Sequence, residues 1–461
     1  MTCRSAGALL AALLSSAAGV TAQELRAGVD PRVELMSILF RLGGAAEYNR
    51  CRIPQYDQAI ERYFAPYRGH QAVRLANSLG VGLDAPMKLA VNVRDADSLD
   101  ELIALDGAKV HLYENWDAAK ARDFLAAARG FSADAHFGDF VKSQQALYDV
   151  VNARLGAYLE KADPAWFGQF FGPPAPARLA VIPGLANGAP SYAARVIDEA
   201  GAEEVCAIPG VAKVDAQGLP VFDASWGVTM AHEVAHLYAD RAISKNAAQL
   251  QKAGAQLYEP VAEAMQQQSY GNWKTMLSES LARAAAIEYV MAHDGQAAGR
   301  AVIREDNARS FFWMNGLVNT LETYRSQRQQ YPTFDSYMPR VVDYFIGVAP
   351  RIPAIVDRMR PKVVSTSVAN GARSVDPSLK SIVVRFSIAM TRVGPGKTSK
   401  TAGGRFDAAG LAVTIPVTLE PDRDYALPLR WAGGQAFLSA DGVPLPATTL
   451  HFHTAAGPAS K

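Results

Sequence analysis

The stretch Asp223-Ala224-Ser225-Trp226-Gly227-Val228-Thr229-Met230-Ala231-His232-Glu233-Val234-Ala235-His236 decides how the rest of the chain is read. Asp223 and Ser225 offer capping side chains, and no proline follows until Pro260. The spacing therefore predicts a helix that carries both histidines early along its length. Residues four apart share a helix face, so His232 and His236 can converge on one cation. Glu233 is rotated by about 100° from His232, which turns its carboxylate off the ligand pair and towards a water. Two neutral imidazoles, one carboxylate and an open fourth position make a hydrolytic zinc site. A glutamate placed like Glu233 is the general base of such a site.

A third protein ligand must come from elsewhere in the chain. A third histidine at the Met-turn spacing would fall at Ala242, and its glycine at Ala239, which excludes that class. Glu279 lies in a second alanine-rich helical stretch, Leu277-Ser278-Glu279-Ser280-Leu281-Ala282-Arg283-Ala284. Its small neighbours Ala282 and Ala286 would let two helices approach closely. Glu279 is thus the first candidate for the third ligand, and its bland alternative is an exposed pair with Arg283. Glu259, Glu263 and Glu288 are the further alternatives, Glu288 projecting about 180° away from Glu279 so that both cannot face the same ion. Asp240, one turn beyond His236, either holds an imidazole N–H from outside the ligand set or pairs with Arg241 or Lys245. Tyr238, Tyr270, Tyr289 and His293 each offer a donor for a developing oxyanion, and spacing does not choose among them. Trp226 fits a substrate pocket or the core equally well.

Around the motif the grammar is mostly helical from Pro31 to about Arg358. Val33 to Leu42, Ala118 to Ala128, Phe140 to Leu159 and Thr275 to His293 read as helices. Leu179–Pro183 and Val205–Ile208 read as short strands, and Asp215-Ala216-Gln217-Gly218 as a turn into Leu219-Pro220-Val221-Phe222. One of the last two apolar segments is expected to be a sheet edge beside the motif helix. Leu219–Phe222 is preferred, because Pro220 cannot donate to a ladder. After Pro361 the period changes to two. Ile382, Val384 and Phe386 alternate, as do Tyr425, Leu427, Leu429 and Trp431, and then Leu450, Phe452 and Thr454. Turns at Asn370-Gly371, Gly394-Pro395-Gly396, Gly403-Gly404, Gly433-Gly434 and Asp441-Gly442 separate them, as in a β-sandwich.

The fold class expected is therefore α+β, with a mainly helical domain over 23–360 and an all-β domain over 361–461. Residues 1–22 read as an export signal. Arg4 precedes the apolar run Ala6–Leu14, and small residues lead to a cleavage point after Ala22. That run is shorter than the ~20 residues of a membrane span, so an exported chain, periplasmic or secreted, is expected without a membrane anchor. Export would leave Cys51 and Cys206 either paired in one disulfide or as two buried thiols. Lys and Arg number 46 against 45 Asp and Glu, a net charge of +1, which argues against a nucleic-acid partner. The ten Lys/Arg and two Asp of residues 351–400 could meet acidic glycans or a cell surface, or simply form a solvated face. His451 and His453 share a strand face and read as solvent-facing.

Two resemblances extend this reading. Val33 through Leu42, Glu47-Tyr48, Tyr56 to Phe64, His70, Asp84-Ala85-Pro86-Met87 and the His232 motif resemble an uncharacterised bacterial family of secreted zinc-metallopeptidase-like proteins. What that likeness implies is a zincin-like domain with zinc at His232 and His236, Glu233 as catalytic base, and Glu279 on the ligand helix, as in glutamate-zincins. The Asn-Glu-x-x-Ser-Asp pattern of thermolysin-like enzymes is absent. The tail resembles bacterial immunoglobulin-like modules through Val368-Ala369-Asn370-Gly371, Val375-Asp376-Pro377, Val384-Arg385-Phe386-Ser387 with Met390, Leu419-Glu420-Pro421, Asp424-Tyr425, Asp441-Gly442-Val443-Pro444-Leu445 and Phe452-His453-Thr454. A polypeptide substrate hydrolysed with Zn2+ is the function these likenesses imply. The rival is a surface adhesin or glycan-binding protein whose metallopeptidase-like scaffold is inert.

Overall fold

The computed structural model describes residues 24–79, 84–107, 116–163, 165–172, 178–198, 200–391, 404–430 and 435–456. The export signal expected over 1–22, the turns at 394–396 and 433–434, and Trp431 lie outside them. The described chain is mixed α+β. Helices and one small sheet fill it to Met359, and strands follow from Val363.

The first helix, Pro31–Leu42, starts with proline in its first turn, and Asp30 accepts a hydrogen bond from the Arg32 backbone. Every residue from Val33 to Leu42 is buried, so it is a core helix rather than an amphipathic surface one. The segment read as one helix over 140–159 is two, Phe137–Ser143 and Gln145–Leu159. Ser143 Oγ donates to the Phe140 carbonyl at 2.7 Å, a local bond that competes with continuing the helix.

Four strands build the sheet that carries the site: β1 (Glu24–Ala27), β2 (Arg178–Val181), β3 (Tyr192–Ile197) and β4 (Glu203–Ile208), in the order β1-β2-β4-β3. β1, β2 and β4 run parallel, and β3 is antiparallel to β4. Side chains alternate between two separate cores. Leu179, Val181, Val205 and Ala207 face the core of the motif helix. Ala180, Ile182, Cys206 and Ile208 face the core of the first helix. The sheet is a wall with helices on both sides, as its period of two requires.

Both edge-strand expectations fail. Val205–Ile208 lies in β4, paired on both sides. Leu219–Phe222 forms no strand and makes one isolated bridge, Val214↔Pro220. Local chemistry explains this: the Asp215 carboxylate accepts from Gln217 and Leu219 amides at 2.9 and 3.0 Å, and Arg154 ties Asp215 to the Pro220 carbonyl. The segment closes on its own turn. The edge beside the motif helix is β3, missed in sequence because Ala193-Ala194 conceals its alternation. Of the two states open to Cys51 and Cys206, the structure has the unpaired one. Cys51 and Cys206 are free thiols, Cys51 set against the Leu185 carbonyl and Cys206 buried in the sheet. Burial pushes the Cys51 thiol up to about 12, which keeps it protonated and inert.

Beyond Met359, strands β5 (Val363–Thr366), β6 (Ala372–Val375), β7 (Ser381–Phe386), β8 (Arg405–Phe406), β9 (Ala412–Pro416), β10 (Asp424–Pro428) and β11 (Thr449–Thr454) form two open sheets. Their orders are β5-β7-β9-β8 and β10-β11-β6. Ile382, Val384 and Phe386 of one and Leu450 and Phe452 of the other share one apolar core. His453 is held between Asp424 and Asp422 at 2.9 and 3.1 Å. Among the described residues no helix is long and apolar enough to cross a membrane.

Glu34 joins the first helix to the sheet, accepting from Tyr56 Oη and the Leu185 amide at 2.8 Å each. Burial pushes its carboxyl from 4.5 up to about 7, against the pull of those two bonds. The folded state therefore binds this proton more tightly than the unfolded chain does. Its stabilisation is full below about pH 4.5 and is lost as pH rises through about 7. Chemical denaturation of Glu34→Gln across that window should show a shallower fall in stability than wild type; parallel pH profiles would contradict the assignment.

Candidate metal centre

Two helices deliver the site. The motif helix, Ala224–Lys245, is capped by Asp223, whose carboxylate accepts the Trp226 amide at 3.1 Å. The ligand helix, Trp273–His293, is capped by Asn272, which accepts from the Thr275 amide at 3.0 Å. They pack against each other along their lengths. Ala231, Ala235, Ala239, Ala282 and Ala286 are all buried on them, and such small side chains permit a close approach.

The three candidate ligands meet. His236 Nε2 is 3.0 Å from His232 Nε2 and 3.1 Å from Glu279 Oε2. His232 Nε2 is 3.5 Å from Glu279 Oε1. Ligand atoms at zinc's usual bond lengths of ~2.0–2.2 Å, arranged tetrahedrally, stand roughly 3.3–3.5 Å apart. The observed spacings fit one small cation bound by all three residues, the metal-competent group found among the described residues.

The electrostatics leave one imidazole neutral and the other holding a proton that a bound cation would displace. Burial pushes His232 down to about 3, leaving a neutral imidazole with a free lone pair. Burial would also lower His236, but hydrogen bonds to Asp240 and Glu279 outweigh it and raise it well above its ordinary value. Asp240 Oδ1 lies 3.4 Å from His236 Nδ1, so Nε2 is the nitrogen turned to the centre. Glu279 is 4% exposed, yet His232, Arg283 and His236 overcome burial and hold its carboxyl well below the ordinary range. Arg283 approaches Glu279 Oε1 at 2.6 Å and Asp306 at 2.6 Å. Tyr270 Oη donates to the same Glu279 oxygen at 2.7 Å. One carboxylate oxygen is thus gripped from behind while the other faces His236.

Glu233 is buried and has no hydrogen-bond partner among the described residues. Burial pushes its carboxyl up to about 7. It lines a cleft of about 1800 Å³ together with His232, His236, Glu279 and Tyr270. Ser191–Arg195, at and along the β3 edge, form one wall of it.

Sequence reasoning named both histidines, Glu233, Glu279 and Asp240, and the structure brings all five together. It left Tyr270 among four alternatives. The others are committed elsewhere: Tyr238 stacks on Phe171 at 3.9 Å, Tyr289 donates to the Ala162 carbonyl, and His293 Nδ1 donates to the Tyr289 carbonyl at 2.8 Å. Trp226 packs on Tyr158 and Phe222, a core role. Glu288 is buried against Arg325 at 3.1 Å, and Glu259 and Glu263 are exposed. Asp306 was missed, since it sits on a third helix with no motif around it. The Arg283 pair weighed as an exposed alternative forms instead as a sheltered one at 2.6 Å, while the other Glu279 oxygen lies 3.1 Å from His236.

A family model for a domain of unknown function (DUF4932) matches residues 25–344, a span that contains His232, Glu233, His236 and Glu279 and ends before the C-terminal strands. No curated protein matches. Among solved structures, a crystal structure of the S-layer protein rSbsC(31-844) matches at 16% identity over 50% of this chain, with a TM-score of 0.16. The match spans about a third of that chain, 34%.

Removing the grip on Glu279 should weaken the site in steps. In chelator-competition titrations, Tyr270→Phe should lower zinc affinity by roughly tenfold. Glu279→Ala should lower it beyond the roughly 10–100-fold that loss of an outer contact costs. Wild-type affinity in Glu279→Ala would remove Glu279 from the ligand set.

Proposed function

This chain belongs to the DUF4932 family, and we propose that it is an exported zinc-dependent endopeptidase. The observation that carries the reading is the convergence of His232, His236 and Glu279 beside an unpartnered Glu233 in an open cleft. A bound zinc ion supplies Lewis acidity, polarising an acyl carbonyl and making a water acidic near neutral pH. Everything else is the work of this chain's own side chains. Glu233 takes a proton from the attacking water and returns it to the leaving amine. Asp240 orients His236, and Arg283 with Tyr270 orients Glu279.

The β3 edge supports a polypeptide substrate. Among the described residues its outer side pairs with no strand, it lies against the motif helix, and an extended peptide can add to it by main-chain hydrogen bonds. Amide rather than ester or glycan hydrolysis follows from the resemblance to glutamate-zincins, an analogy of site and not of fold. The two C-terminal sheets around one core support an immunoglobulin-like accessory module, from which the parallel pairing of β6 with β11 departs, and export rests on the reading of residues 1–22.

The test pairs zinc content with proteolysis of a denatured protein substrate. Wild type should hold about one zinc per chain and lose cleavage to a chelator. Glu233→Gln should keep the zinc and lose roughly 10²–10⁴-fold in turnover. Unchanged cleavage by Glu233→Gln, or a wild type that takes up no zinc, would overturn the reading.

A further inference from the structure

The β-strand module touches the helical half at a point that leads straight to the metal ligands. A hairpin runs from Phe437 to Leu445, closed by the Leu445 amide on the Phe437 carbonyl at 2.7 Å. At its tip the Ser439 and Gly442 amides bond the Val443 and Ser439 carbonyls at 2.8 and 2.9 Å. The tip presses on the helix Gln296–Ala308. Gly442, at φ +87°, sits so close that a Cβ there would lie 2.3 Å from the Arg304 carbonyl oxygen. Asn307 Nδ2 donates to the Asp441 carbonyl at 3.1 Å. Val443 is buried in the core of the motif helix, not in the core of its own module.

Asp306, the residue before Asn307, turns the other way. Successive helical residues point about 100° apart, so one turn is gripped from both sides. Asp306 binds Arg283 at 2.6 Å, and Arg283 binds Glu279 at 2.6 Å. Asp306 and Asn307 are each 2% exposed, so neither bond is a solvated surface pair. From Gly442 to the ligand carboxylate the path is hairpin, helix turn, Asp306, Arg283, Glu279.

We propose that the C-terminal module is a strut for the metal centre: its Asp441-Gly442-Val443 tip fixes the Arg304–Asn307 turn, and through Asp306 and Arg283 positions Glu279. The proposal takes its ligands and its consequence from the zinc reading above. Asp306, Asn307 and Gly442 are positioning residues. The module is a part of the site's support, not a detachable appendage.

The test uses the full chain with Gly442→Ala and Asn307→Ala, and Val364→Ser on a 65% exposed position as control. Amide exchange of the metal-free proteins should be faster by roughly fivefold or more over residues 277–284 and 304–309 in both hairpin-contact variants, and unchanged there in the control. Zinc affinity should fall in the same two variants, by less than the roughly 10–100-fold of a direct outer contact. Faster exchange confined to residues 361–456, with zinc affinity unchanged, would overturn the strut. If Gly442→Ala unfolds the module, Asn307→Ala decides, since it removes one bond and leaves the hairpin's own bonds intact. If wild type binds no zinc, the functional reading falls and the exchange experiment still decides the strut. If zinc binds and exchange couples, but Glu233→Gln cleaves normally, the strut stands without the peptidase.

Discussion

A carboxylate buried on an alanine-rich helix needs compensation, and everything around Glu279 is arranged to supply it. Removing a charge from water costs several kcal/mol unless partners and hydrogen bonds replace the solvent. Arg283 and Tyr270 hold one oxygen, which His232 Nε2 also faces at 3.5 Å, and His236 Nε2 stands at the other. Arg283 is itself only partly exposed and is balanced in turn by Asp306. The negative charge of Glu279 is therefore balanced through a third helix, and the C-terminal hairpin packs on that helix.

The same arrangement explains why a small sheet suffices. Its four strands separate two apolar cores, and the motif helix lies on one face against β3 and β4. A period-two wall fixes the height and rotation of that helix, so His232 and His236 face the ligand helix while Glu233 looks into the cleft. The first helix and its Glu34 sit behind the other face and touch none of the chemistry. Their role is to hold the sheet.

What was legible in the sequence follows from how local each signal is. A capped helix with histidines four apart is a property of fourteen neighbouring residues, and it could be read outright. Glu279 needed only helical spacing and small neighbours. The rest depended on non-local contacts. β3 contains Ala193-Ala194, which pack against the wall without advertising a strand. Leu219–Phe222 has strand-like composition, but Asp215 and Arg154 draw it into a turn. Cys51 and Cys206 suggested a bond that the packing around each thiol does not make. Asp306 carries no motif, because its meaning comes from an arginine 23 residues earlier. The alternation of the C-terminal strands was plain in sequence, whereas the contact of their hairpin with the Arg304–Asn307 turn was not.

The central claim is that His232, His236 and Glu279 bind one ion together. Anomalous diffraction at the zinc edge, from crystals of the full chain grown with zinc, tests it most directly. The account predicts a single strong peak about 2.0–2.2 Å from His232 Nε2, His236 Nε2 and a Glu279 oxygen. A peak elsewhere, or one whose coordination omits any of the three, would contradict it.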